Sequence, residues 1–424
     1  MKIRMTVKSI ILILVFLCGC ISNQKLRQTP SSPHVTSTSQ NATFLRFLST
    51  TSTPSPIYTP TLAQTLTPTI IYPTLAVTNT IESVPLAAGD NFTCALTNKG
   101  GVKCWGDNRS TGALGNGSGK DSSTPVDVFG LSSGVAGLAA GDVQACALTV
   151  KGGVKCWGWY LLGMPHALGG RIPNYVPGLT SGAIAITAGG GHNCVLLIGG
   201  AVKCWGNNEF GQLGNGTIKD SAVPTEVIGL TSGVVAIAAG STHTCALMNT
   251  GKVMCWGSEG DNIPVEISGL PDGIVAIAAG GYHTCALTSN GGVLCWGSNY
   301  FGELGDAEAN ILTPKYLDHL TSGIAKIALG GGHTCVLTTS GAVKCLGHGA
   351  AGGLGNGTND SSSIPVDVTG LSSGVVAIAA SGHTCAMINT GKIMCWGPNY
   401  CGELGDGSEK NSAIPVEVIG FPAP

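Results

Sequence analysis

The chain has 424 residues, a formal net charge of −2 and only 10% charged side chains. With no basic cluster beyond its first residues, that balance argues against a nucleic-acid partner, whose phosphates call for a concentrated positive surface. The composition also holds 65 glycines and 17 cysteines, and their placement along the chain is its most informative feature.

At the N-terminus, Lys2, Arg4 and Lys8 precede an apolar run from Ile10 to Leu17 and then Leu17-Cys18-Gly19-Cys20. A positive region, a short apolar core and a small residue before the cut describe an export signal, and the run is too short for a membrane span. Its last four residues resemble a bacterial lipoprotein signal, which implies that Cys20 becomes the lipid-bearing first residue of the mature chain. Cys18 departs from the small residue usual at that place, and an uncleaved N-terminal anchor is the alternative. Either reading exports the remainder, to the membrane or the cell surface. Residues 21–80 are rich in Thr, Ser and Pro, nearly uncharged and without periodicity, so they predict a stalk that cannot bury a core. Tyr72-Pro73 stands at repeat-like spacing from Ala87-Ala88-Gly89, which leaves a start of the folded region near Pro73 open beside one at residue 81.

Residues 81–424 are self-similar at a period of about 40 to 52 residues, the signature of stacked supersecondary units. The motif is clearest in Gly280 to Gly297, GGYHTCALTSNGGVLCWG, and it returns seven times. Two short strand-type runs flank a turn in every copy. Placing the cysteines opposite one another puts a three-residue loop at Ser289, Asn290 and Gly291. Gly then falls at the third loop position throughout (Gly100, Gly152, Gly200, Gly251, Gly291, Gly341, Gly391), where a bulged hairpin needs positive φ.

The same register pairs Cys94 with Cys104, Cys146 with Cys156, Cys194 with Cys204, Cys245 with Cys255, Cys285 with Cys295, Cys335 with Cys345 and Cys385 with Cys395. Each pair falls at a non-hydrogen-bonded position, within reach of a disulfide. Seven intra-hairpin disulfides are therefore expected, and they suit an exported chain. The competing reading is zinc, because His192, His243, His283, His333 and His383 each stand two residues before the first cysteine. Phe92 and Gln144 occupy that place in the first two copies, which keep both cysteines. The histidines are thus expected to be buried and structural, with no metal and no cofactor.

Two further strands complete each unit. A run such as Val234 to Gly240 precedes the hairpin, its alternating β-branched residues and alanines suited to converging backbones. A run such as Pro125 to Val128, Pro264 to Ile267, Pro365 to Val368 or Pro415 to Val418 follows it, with a leading proline and an alternating acid that fit a wet edge strand. Four strands in seven copies predict an all-β, seven-bladed β-propeller of four-stranded antiparallel blades.

Gly-x-x-His-Thr-Cys-Ala-Leu, then Gly-x-Val-x-Cys-Trp-Gly, then Asn-x-x-Gly-x-Leu-Gly (Asn207 to Gly214, Asn299 to Gly305, Asn399 to Gly405) resembles the regulator of chromosome condensation repeat, in the Cys-bearing form of exported bacterial proteins. That resemblance implies a rigid ring with a binding face, and no single activity. The copies differ: the second loses the Gly-x-Leu-Gly arm, the fourth is shortened to Ser258 to Pro264, and the sixth has Leu346 for Trp, which marks the Trp position as core. Exchange-factor activity would need a cytoplasmic partner that export removes, and the Trp/Arg-rich motif of the plant photoreceptor members is absent.

No nucleophile elbow or paired-carboxylate motif stands out, and Asp127, Glu226, Glu266, Asp367 and Glu417 recur as solvated edge residues. The Asn-Gly and Asp-Gly runs at Asn215, Asn356 and Asp406 read as turns rather than calcium loops. Binding through loops on a rigid scaffold is left. The expected function is a monomeric, surface-anchored module that holds a protein partner, with Trp159, Tyr160, Phe210, Tyr300, Phe301 and Tyr400 as candidate contacts. A glycan or cell-wall ligand, and a hydrolase or lyase with its site at the ring centre, are the alternatives. Cys401 has no hairpin partner, which suggests a free thiol or an intermolecular link.

Overall fold

A computed structural model describes residues 85–109, 111–159, 170–258, 261–306 and 310–421. The expected signal, Cys20, the stalk and Tyr160 lie outside the described residues. Seven four-stranded antiparallel sheets follow one another along the chain. They span residues 86–127, 135–175, 183–226, 234–266, 274–316, 324–367 and 375–417, and are called blades 1 to 7 here. The fold is a seven-bladed propeller.

Blade 4 shows the plan: Val234–Ala239, His243–Met248, Val253–Gly257 and Asp261–Glu266, each paired with the next. The first strand of every blade ends at a central channel, so its alanines follow from the crowding where seven backbones meet. The second and third strands form the expected hairpin. In blade 5 the Thr288 N–H bonds the Gly292 carbonyl at 2.8 Å, and Gly291 takes φ of 80°. The ten-spaced cysteines lie directly opposite one another and are disulfide-bonded in all seven hairpins, with Cα atoms 4.1 Å apart. The bonds join Cys94 to Cys104, Cys146 to Cys156, Cys194 to Cys204, Cys245 to Cys255, Cys285 to Cys295, Cys335 to Cys345 and Cys385 to Cys395, as the register requires.

The fourth strands are outermost, as expected, but they do not begin at proline. They run Ser122–Asp127, Asp261–Glu266, Ser362–Asp367 and Ser412–Glu417, with Pro125, Pro264, Pro365 and Pro415 as the fourth residue. An outer edge has no ladder partner for the missing N–H, so proline costs nothing inside it. Blade 2 keeps only Asn174–Tyr175 of this strand. The recurring acids are ion-paired on the surface, as Lys103 with Asp127 at 2.8 Å and Lys344 with Asp367 at 2.6 Å.

Between third and fourth strands, most blades extend an arm that reaches the following blade. A buried asparagine staples it. The Asn208 Oδ1 accepts the Leu213 N–H at 2.9 Å while its Nδ2 donates to the Thr217 and Lys219 carbonyls, and Asn108, Asn299 and Asn399 accept the N–H of Leu114, Leu304 and Leu404 in the same way. The arm motif of blade 3 therefore starts at Asn208, one residue after the Asn207 read from the sequence. Asn215, Asn356 and Asp406 each accept the N–H two residues on, so they are turn residues.

Each arm locks two blades together. The Glu403 carbonyl of blade 7 accepts both the Trp105 Nε1–H and the Thr93 hydroxyl of blade 1 at 2.9 Å, and the Gly407 N–H bonds the Ser123 carbonyl at 2.9 Å. These bonds join blade 7 to blade 1, and among the described residues no strand is exchanged between the two. The equivalent Trp157 and Trp256 donate to the Ala113 and Gln212 carbonyls of the blades before them. The Trp position is core throughout, and Leu346 fills it in blade 6.

Candidate functional site

Strand alternation puts the loops between first and second strands on the same face as the arms, and the hairpin tips on the opposite face. Backbone bonds confirm the pairing: Asp107, Asn207 and Ser298, each opening an arm, donate to the Asn91, Gly191 and Tyr282 carbonyls of the inner loop at 2.8–2.9 Å. The arm-bearing face is the candidate site.

Five of the six sequence-derived contacts can be placed, and all five are on this face. Trp159 follows the third strand of blade 2, while Phe210, Tyr300 with Phe301, and Tyr400 open the arms of blades 3, 5 and 7. Tyr300 is 72% exposed, and Trp159, Phe210, Phe301 and Tyr400 are each exposed over nearly half their surface. They are distributed around the ring instead of forming one patch. Phe301 packs across a blade boundary, with its ring 4.2 Å from that of His348.

Cys401 stands where other arms carry an exposed aromatic, yet its side chain is buried. That burial contradicts an intermolecular link. Its sulfur lies near the Asp107 and Asp121 carboxylates, and Arg109 already ion-pairs with Asp121.

The channel mouth on this face holds a feature that sequence reasoning missed. Asp90 and Asp142, from blades 1 and 2, line a cavity of about 190 Å³ whose other walls are mostly Gly, Ala and Ser. Both side chains reach solvent but are enclosed by the channel wall. Desolvation and then the neighbouring Asp90 charge push Asp142 up to about 6, and desolvation raises Asp90 against the Asn91 amide that stabilises its charge. The signal was legible, because the residue after Ala-Ala-Gly or its equivalent is Gly or Ser in most later copies. Sorting the acids by outer-strand recurrence hid it. Tyr282, 63% exposed on the inner loop of blade 5, was missed as well.

Beneath the mouth, the five histidines are buried and each pairs with a threonine of the following blade. His192 meets Thr244 at 2.8 Å, His243 meets Thr284 at 2.8 Å, His283 meets Thr334 at 3.1 Å and His333 meets Thr384 at 2.7 Å. His383 closes the series on Thr93 at 2.6 Å. The Thr93, Thr244 and Thr334 hydroxyls give their hydrogen to an arm carbonyl, so the facing Nε2 must be the protonated nitrogen. Burial lowers the imidazoles, to about 3 for His192 and His283 and about 4 for His243, His333 and His383. They are neutral structural residues, and His192, His243, His283 and His333 each pack under a channel glycine: a Cβ on Gly240 would stand 2.3 Å from His243 Cε1.

Fold and site together define a disulfide-stapled seven-bladed propeller with one loop-rich face and an acidic channel mouth. The family model of the regulator of chromosome condensation (RCC1) repeat matches residues 200–247 and 290–337, and a second model of that repeat matches 86–110, 183–212, 234–262 and 274–303. Over these stretches the chain carries RCC1-type repeats, and with its hairpin disulfides it is similar to an RCC1-like propeller in a Cys-rich form. It is 28% identical over 179 residues to the ultraviolet-B receptor UVR8 of Arabidopsis thaliana, covering 41% of this chain and 40% of that one. It is 30% identical over 189 residues to the mitochondrial RCC1 domain-containing protein RUG3 of the same plant, covering 42% of each. The match thus spans less than half the length of these relatives. Among solved structures, Prp20p of Saccharomyces cerevisiae superposes with a TM-score of 0.66 at 22% identity over 80% of this chain and 87% of that one, which speaks to fold alone. Prp20p itself is described as binding Gsp1p and histones.

Proposed function

We propose that this propeller is an extracytoplasmic, surface-anchored module that binds a protein partner through the loops of its arm-bearing face. The observation that carries the reading is the set of exposed aromatic side chains, Trp159, Phe210, Tyr300, Phe301 and Tyr400, all on one face of a ring cross-linked by disulfides. Large rings held on rigid loops lose little entropy on contact and anchor protein interfaces. Seven disulfides suit an oxidising compartment, Cys20 is the proposed lipid attachment point, and the protein acts as a monomer. The binding of Gsp1p and histones ascribed to Prp20p supports a protein ligand for this fold.

The test is capture of extracytoplasmic proteins by the immobilised propeller and by a Tyr300→Ala, Phe301→Ala, Tyr400→Ala variant. A specific protein should be held by the first and lost from the second, with or without EDTA. Release by soluble cell-wall polysaccharide would replace the protein ligand with a glycan. The Asp90 and Asp142 pair is the observation that favours a catalytic alternative at the channel. Asp142→Asn should leave capture intact, and a substrate turned over only by the unaltered protein would establish an enzyme instead.

A further inference from the structure

The arm of blade 7 crosses onto blade 1 where the first and last repeats meet, and the contact it makes there is out of pattern. Phe301 and Cys401 hold the same position in their arms, and each has its N–H bonded to a carboxylate oxygen of the glutamate two residues on, Glu303 or Glu403, at 2.7 Å. His348 and Asp107 likewise hold the same position after the third strand of the next blade, with the N–H bonded to the Gly332 or Asn91 carbonyl at 2.8 Å. Between blades 5 and 6 these two positions make the ring contact of Phe301 with His348. Between blades 7 and 1 both have changed, and a thiol and a carboxylate replace the two rings.

A third donor completes the set. Asp121 lies just before the outer strand of blade 1, and its Oδ1 accepts the Asn108 and Arg109 N–H groups at 2.9 and 3.1 Å. The Cys401 sulfur and one oxygen each from Asp107 and Asp121 lie within 4.8 Å of one another. Cys401 is 2% exposed and the Asp121 side chain 10%, so the donors are held largely out of water. The backbone seats them firmly: a Cβ on Gly402 would stand 2.5 Å from Ser123 Cα, which fixes the height of the neighbouring Cys401 over blade 1.

We propose that Cys401, Asp107 and Asp121 form a zinc site that clamps the last blade to the first. Sulfur with two carboxylate oxygens is a ligand set that zinc accepts, at bond lengths of about 2.3 and 2.0–2.2 Å, and tetrahedral coordination then puts ligand atoms roughly 3.5 Å apart. Side-chain rotation covers the remaining difference, and the fourth position is left for water. Thiolate sulfur disfavours calcium and magnesium. Charge calls for a dication as well. Once the thiol gives up its proton, as ligation requires, three negative groups face the Arg109 guanidinium, and a dication makes the cluster neutral. The Asn108 and Arg109 N–H groups hold the Asp121 carboxylate from behind, as outer partners do at metal sites. The Arg109 side chain, ion-paired with the Asp121 Oδ2, competes with the metal for that carboxylate.

The clamp does not depend on the protein-binding reading. Its test titrates Co²⁺, a spectroscopic stand-in for zinc, into chelator-treated full-length protein with the hairpin disulfides intact. One equivalent should produce a thiolate-to-cobalt charge-transfer band in the near ultraviolet, and Zn²⁺ should bleach it. Cys401→Ser should remove the band. Asp107→Asn, which installs the residue that blade 3 carries as Asn207, should weaken Co²⁺ binding roughly tenfold or more and decides the matter should the serine variant fail to fold. Arg109→Gln should tighten binding by releasing Asp121. No band at millimolar Co²⁺, a band undiminished in Cys401→Ser, or equal affinity in Asp107→Asn overturns the inference.

Discussion

The junction between blades 1 and 2 and the junction between blades 4 and 5 occupy the same place in the repeat and solve it with different chemistry. In the first, Phe92 and Ala145 share an apolar cluster. In the second, His243 and Thr284 share a hydrogen bond at 2.8 Å. Both partners change together, although the residues of a pair lie in different copies. What the ring needs there is a filled, internally satisfied contact, and imidazole with hydroxyl or phenyl with methyl each supplies one. That is why the cysteines persist in the copies that lack histidine, and why zinc is not required to explain the His-x-Cys spacing.

The largest effect should come from what the two junctions have in common, the hairpin disulfide. Each closes a short loop and contributes about 2–3 kcal/mol by the chain-entropy argument, so removing Cys285 and Cys295 together should lower stability in urea by that order. Reduction of all seven should unfold the domain. A reduced chain that keeps its near-ultraviolet circular dichroism would show that the pairs are incidental.

Next in size is the exchange of one junction for the other. Thr284→Ala strands a buried imidazole N–H or lone pair and should cost about 1–3 kcal/mol. The double change His243→Phe with Thr284→Ala reproduces the first junction and should cost less than the sum of its two single changes. Strict additivity in a double-mutant cycle would mean that the two side chains do not act as a pair.

Acid should separate the junctions further. The five histidines have folded pKa values of about 3 to 4, below the ordinary 6.5. Between those values the unfolded chain binds more protons, so stability is complete above pH 6.5 and falls as pH drops toward 4. Asp142, raised to about 6, and buried Glu403, raised to about 7 by desolvation, act in the opposite sense, but five imidazoles outnumber them. Urea midpoints measured from pH 7 to pH 4.5 should decline, and the His243→Phe, Thr284→Ala protein should show a slope smaller by one proton. A flat profile would contradict buried neutral histidines.

The smallest effect belongs to the surface ion pairs. Lys344→Ala, which removes the exposed pair with Asp367, should change stability by about 0–1 kcal/mol and less at high salt. A larger loss would require a packing role for the lysine stem.

Contacts local in sequence were legible; those that span a repeat were not. The hairpin, its glycine and its disulfide lie within about a dozen residues, and alternation alone sets their register. Burial of the histidines followed from comparing copies. Their partners did not, because His192 and Thr244 are 52 positions apart and each histidine is followed in its own copy by a residue that pairs elsewhere. The coupled change of Phe92 with Ala145 was the available clue. The arm carbonyls that receive Trp105 and Thr93 left no mark, since a backbone atom has no side-chain identity to set a pattern. At the site, the aromatic candidates were found because they interrupt the repeat, whereas Asp90 and Asp142 were lost among acids that recur for a different reason.

The central claim is that the arm-bearing face meets a protein partner. A photo-crosslinking amino acid placed at Tyr300, on that face, and at Ile198, an exposed hairpin tip on the opposite one, tests it directly in cells that export the protein. The account predicts one discrete crosslinked protein from position 300 and none from position 198. Crosslinks from position 198 alone, or none from either, would contradict it.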